Sequence, residues 1–157
     1  MSAVESWLEF RRSDAMAVID LVRAVADARD PGEHGDGVEV VLEAPRKKWW
    51  QALFSHDDTL AQARIVVTRA GGDVRYPFDI QLITGHGADA AHRIGPRPGW
   101  AVSNSAGMAF LIQKGRPGAR FDFGGLVGAA VAALAELRQD APDQGWRVRV
   151  DRGVLRT

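Results

Sequence analysis

Cysteine is absent from all 157 residues. Disulfides, thiolate zinc sites and cysteine nucleophiles are therefore excluded, and stability must come from packing alone. A chain of this length corresponds to about one domain and buries roughly 68 to 70% of the surface its unfolded form exposes, so it needs no staple. Long apolar runs are missing too. The longest, Leu126 to Leu137, is broken by Gly128 and Glu136 and falls short of the roughly twenty residues a membrane span needs. Met1 to Arg12 carry Glu5, Glu9, Arg11 and Arg12 without an apolar core and small-residue cleavage site, so no secretory signal is read. The expectation is a soluble, cytoplasmic protein with no membrane partner.

Catalytic signatures are also lacking. Gly85-His86-Gly87 has neither the spaced glycines of a phosphate loop nor a following Lys-Ser or Lys-Thr. Asp122-Phe123-Gly124 has the letters of a kinase segment but none of its companion motifs, and Asp122 is better placed to cap a following helix. Lysine is scarce: seventeen of the twenty cations are Arg, which favours planar, bidentate contacts over point charges.

Charge is balanced in total but not along the chain. Residues 1 to 44 hold ten acids and four Arg, a net of minus six, and residues 45 to 157 carry the compensating plus six. Such asymmetry fits a nucleic-acid or acidic-partner surface, two oppositely charged halves of one domain, or head-to-tail association.

Periodicity predicts the elements. Ser2 with Glu5 has the form of a capping box, and Trp7, Leu8 and Phe10 behind it read as a first helical turn or two. Val18, Leu21, Val22 and Val25 recur at helical spacing opposite Asp20, Arg23 and Asp27, giving an amphipathic helix over 14–29 that stops before Asp30-Pro31-Gly32. Val38 to Ala44 suits a strand. After Pro45, the pairs Trp49/Leu53 and Trp50/Phe54 suggest a short helix over 46–54, with a strand as the alternative. Ala63 to Arg69 and Val74 to Ile83 flank Ala70-Gly71-Gly72-Asp73 as a hairpin, with an edge or bulge expected at Pro77. Thr84 to Gly99 reads as a long loop rich in Gly and Pro. Trp100 to Ser103 and Met108 to Gln113 form a second hairpin, and Arg120 to Phe123 a short strand.

Leu126, Val127, Ala130, Val131, Leu134 and Leu137 mark a helix over 125–139 that is apolar on almost every side. Its Gly124, Gly128 and Ala132 form a ridge expected to receive another backbone within the domain. Trp146, Val148 and Val150 alternate with Arg147 and Arg149 as a half-buried strand. The fold class implied is a single α+β domain over 1–157. It has a curved antiparallel sheet of about five to seven strands, with an N-terminal helix and a buried helix near the C-terminus packed mainly on one face.

One stretch combines cations and aromatics most tightly: Arg46-Lys47-Lys48-Trp49-Trp50. Trp and Arg are the residues most enriched at binding hot spots. The leading expectation is a non-catalytic interaction domain with an accessory, assembly or inhibitory role, binding a protein through Arg46, Lys47, Lys48, Trp49, Trp50, Arg147 and Arg149. It carries no cofactor and no metal, and homo-oligomerisation stays open. The alternative is nucleic-acid binding, with the same cations on phosphates and a Trp stacked on a base. A second alternative is a small metal- or His-dependent enzyme centred on the 84–99 loop. There Asp89 lies between His86 and His92, with Ser103 or Ser105 as a distant nucleophile. The six-residue separation of the two histidines matches neither helical nor strand pairing of ligands.

Overall fold

The computed structural model of the chain describes residues 6–27, 38–45, 62–67, 78–83, 92–103, 108–113, 122–138 and 141–152. Its strands are β1 (Leu8–Phe10), β2 (Val38–Glu43), β3 (Gln62–Val67), β4 (Phe78–Ile83), β5 (Trp100–Ser103), β6 (Met108–Gln113) and β7 (Trp146–Arg152). The helices α1 (Met16–Asp27) and α2 (Phe123–Leu137) follow β1 and β6 respectively. All seven strands join one sheet in the order β1-β7-β2-β3-β4-β6-β5, and every neighbouring pair is antiparallel. The molecule is α+β, with both helices packed on the sheet.

Strict alternation separates the two faces. Val40, Leu42, Ala63, Ile65, Ile80, Leu82, Trp146 and Val148 are buried in one core with Val18 and Val22 of α1 and Leu126, Val127, Ala130 and Leu134 of α2. The register makes this layer continuous: Val40 lies opposite Ile65, and Ile65 opposite Ile80. Leu42 likewise faces Ala63 and Val148.

Each helix is fixed at its start by a carboxylate. Asp14 Oδ1 accepts the Met16 amide at 3.3 Å, and Asp122 Oδ1 accepts the Gly125 amide at 2.8 Å, filling backbone donors that a helix leaves without partners. A Cβ at Gly125 would meet the Asp122 carboxylate, so a side chain there would displace the capping group from this position. The turn before α1 is tied to the turn before β7. The Ser13 amide and hydroxyl donate to the two Asp143 carboxylate oxygens at 2.7 and 2.8 Å, and the Arg12 amide to the Asp143 carbonyl at 2.9 Å. These bonds, the hydroxyl's first, hold the Asp143 carboxyl below its ordinary value, helped by the charges of Arg11 and Arg12.

Several expectations need correction. Trp7, Leu8 and Phe10 do not form a helix: Leu8–Phe10 is a strand, with Leu8 opposite Val148 and Phe10 opposite Trp146. A helix of one or two turns is marginal by itself, whereas pairing with β7 buries Phe10 against the Trp146 ring, centroids 6.1 Å apart. The Ser2–Glu5 capping box lies outside the described residues. Phe123 opens α2 and is not the end of a strand, because the Asp122 cap sets the helix start. β4 begins at Phe78 and lies between β3 and β6; Pro77, where an edge or bulge was expected, lies outside the described residues.

Residues 92–94 are helical within the segment expected to be loop, and Ile94 is wholly buried in the core. The small-residue ridge of α2 also points the other way. Gly124, Gly128 and Ala132 are exposed, and a Cβ at Gly128 would meet nothing within 4 Å. The helix is therefore buried on one side rather than all round. Among the described residues, no helix is long and apolar enough to cross a membrane.

Candidate interaction surface

The sheet face turned away from the core set is polar, and its residues come from the alternate positions of β1, β7, β2 and β3. Glu9 pairs with Arg147, Arg147 with Glu43, and Glu43 with Gln62. The next row runs Arg149, Val41, Arg64, and the one after it Asp151, Glu39, Val66. Residues directly opposite on one face are close enough for their side chains to interact, and here opposite charges do so along and between the rows.

Glu43 is the most deeply placed of these groups. Its side chain is only 3% exposed. Arg147 Nη2 donates to Glu43 Oε1, and Gln62 Nε2 donates to Glu43 Oε2 at 3.1 Å. A carboxylate in that position is tolerable only with such partners. Farther out the pairs loosen: Arg64 Nη1 lies 3.4 Å from Glu39 Oε2, and Arg149 Nη2 lies 3.9 Å from Asp151 Oδ2. Val41, between the two arginines in register, is completely buried on this face, consistent with long aliphatic stems lying over an apolar side chain. Arg64 Nε is buried without a hydrogen-bond partner among the described residues.

Trp7 completes the cluster. The guanidinium carbons of Arg147 and Arg149 each lie 4.7 Å from the centre of its ring, inside the range at which cation–π attraction contributes about 0.5 to 2 kcal/mol. The expected Arg147 and Arg149 are thus brought together with an aromatic ring, although the ring is one the sequence reading assigned to a short helix. The signal available was the two-residue spacing of the arginines on a strand, which leaves room for a ring between them. Arg46, Lys47, Lys48, Trp49 and Trp50 lie outside the described residues, as does the helix expected over 46–54.

The alternative site around the long loop divides in the same way. His86, Asp89 and Ser105 lie outside the described residues, and Ser103 ends β5. His92 is exposed and helical. Its neighbours hold the end of α2: Arg93 Nη2 donates to the Glu136 carbonyl at 2.6 Å, and Arg97 Nη2 lies 2.9 Å from Glu136 Oε2. Cations at a helix C-terminus satisfy its last carbonyls and oppose its dipole, so this segment has a structural function. Among the described residues, no group of three or more His, Asp or Glu could hold a metal ion.

No protein-family model, curated protein or solved structure matches the chain.

Proposed function

We propose that the chain is a non-catalytic interaction domain that binds a protein partner through the polar sheet face around Trp7, Arg147 and Arg149, with Arg46 to Trp50 as the second contact element. The observation that carries this reading is the convergence of two guanidinium groups on one partly buried indole at the sheet margin. Trp and Arg dominate protein-binding hot spots because a large ring and a planar cation give much contact area with little loss of side-chain freedom.

The charge on this face favours a protein over a nucleic acid. Arg64, Arg147 and Arg149 are matched by Glu9, Glu39, Glu43 and Asp151 among its described side chains. A surface that neutralises phosphates would carry a clear positive excess, whereas a mixed pattern gives the complementary registration used between proteins.

The test is quantitative capture from extract by immobilised wild-type chain and by Arg149→Gln. The expected result is a protein retained by the wild type and lost at least tenfold in the variant, with unchanged thermal midpoints. Capture insensitive to Arg149→Gln would contradict the reading. Retention of nucleic acid, with affinity falling steeply as salt rises, would replace it with the nucleic-acid alternative.

A further inference from the structure

We infer that the N-terminal arm through Trp7 to Phe10 is an exchangeable occupant of the sheet margin, and that the partner is an extended segment with an aromatic residue at the Trp7 position and another at the Phe10 position. This rests on the reading of that margin as the contact surface. β1 is only three residues long and pairs with Trp146, Arg147 and Val148, whereas β7 has seven residues and runs on to Arg152. Among the described residues, the margin can therefore register a longer strand than the one it holds. Of the three residues of β1, Leu8 and Glu9 are exposed, Leu8 by 56%, so the arm buries little of its own length.

Its anchorage is concentrated in two side chains on opposite faces. Phe10 packs on the Trp146 ring on the core side, and Trp7 lies on Arg147 and Arg149 on the polar side. The bonds from Ser13 and Arg12 to Asp143 fix the chain just after the arm, so the arm could leave without releasing α1. A partner strand that adds to a sheet edge takes its affinity from main-chain hydrogen bonds and its specificity from alternate side chains. The two side-chain positions a partner strand would fill are the ones Trp7 and Phe10 now occupy, three residues apart and on opposite faces, with Glu9 opposite Arg147 between them. The arm is thus both the pattern of the ligand and its competitor.

The experiment uses a fluorescent peptide of residues 4–12, titrated against full-length wild type and full-length Trp7→Ala, with anisotropy as the readout. Saturable one-to-one binding is expected, at least tenfold tighter to Trp7→Ala because its own arm competes less well. A peptide carrying Trp7→Ala should bind at least tenfold more weakly, and Arg149→Gln added to the Trp7→Ala chain, whose own arm no longer uses that contact, should weaken binding of the unaltered peptide. Absence of saturable binding, or equal binding of the altered peptide, overturns the inference. If a partner is captured through Arg149 while the peptide fails to bind, arm exchange is overturned and the contact surface stands.

Should Trp7→Ala not fold, hydrogen exchange on the wild type decides. The β1 amides should exchange at least a hundredfold faster than the central β2 and β3 amides, through local opening. Exchange of β1 only with global unfolding overturns the inference.

Discussion

At the scale of single residues, Arg147 and Arg149 look equivalent in sequence and are not equivalent in the fold. Arg147 holds the buried Glu43 carboxylate as well as touching Trp7. Removing it leaves that carboxylate without its guanidinium, a loss of about 3 kcal/mol by analogy with broken buried pairs, at the low end because Arg147 itself is partly exposed. Arg149 lies 3.9 Å from the half-buried Asp151 carboxylate and against the same ring, so its truncation should cost less than that of Arg147. Urea denaturation of Arg147→Ala and Arg149→Ala should show this order, and equal losses would contradict the asymmetry. Gly128 offers a test of opposite sign. A Cβ there meets open space, so Gly128→Ala should raise stability by about 0.5 to 1 kcal/mol through helix propensity alone. A fall in the denaturation midpoint would show that the small-residue ridge is packed after all.

Among the elements, those with long periodic patterns were legible from the chain. α1, α2 and the strands β2 to β7 were expected within a few residues of where they lie; α1, α2, β2, β3, β4 and β7 each bury a repeating apolar set on one side. β1 was not legible. Three residues cannot display a period, and Leu8–Phe10 is a strand only because β7, far along the chain, supplies its partner. The same dependence hid Trp7, whose neighbours come from β7. The helical stretch at 92–94 was masked by the glycines and prolines around it, and Ile94 within it reaches the core. Ile94→Ala should therefore destabilise by about 2 to 4 kcal/mol. A chemical denaturation midpoint unchanged by that substitution would mean that the segment is a surface loop.

For the whole molecule, the charge division along the chain has a structural correlate. Acids from the first 44 residues, Glu9, Glu39 and Glu43, meet Arg64 and Arg147 from the remainder on one sheet face. The opposed charges of the two parts thus face each other, which makes a purely phosphate-directed surface unnecessary to explain them. The junction between the N-terminal turn and β7 should make folding stability depend on acid. Hydrogen bonds from Ser13 favour the ionised Asp143, so its pKa in the fold lies below its ordinary value of 3.8. The stabilisation is complete above that ordinary value and is lost as pH falls from there through the lowered one. Thermal melts from pH 7 down to 2 should show wild type and Asp143→Asn converging at the acid end. A stability difference constant across that range would argue against the junction.

The most direct measurement of the central claim is partner capture by wild type and Arg149→Gln at matched thermal midpoints. If Trp7, Arg147 and Arg149 form the contact surface, capture falls at least tenfold while the midpoint holds. Undiminished capture by a folded Arg149→Gln chain would mean that the surface lies elsewhere on the molecule.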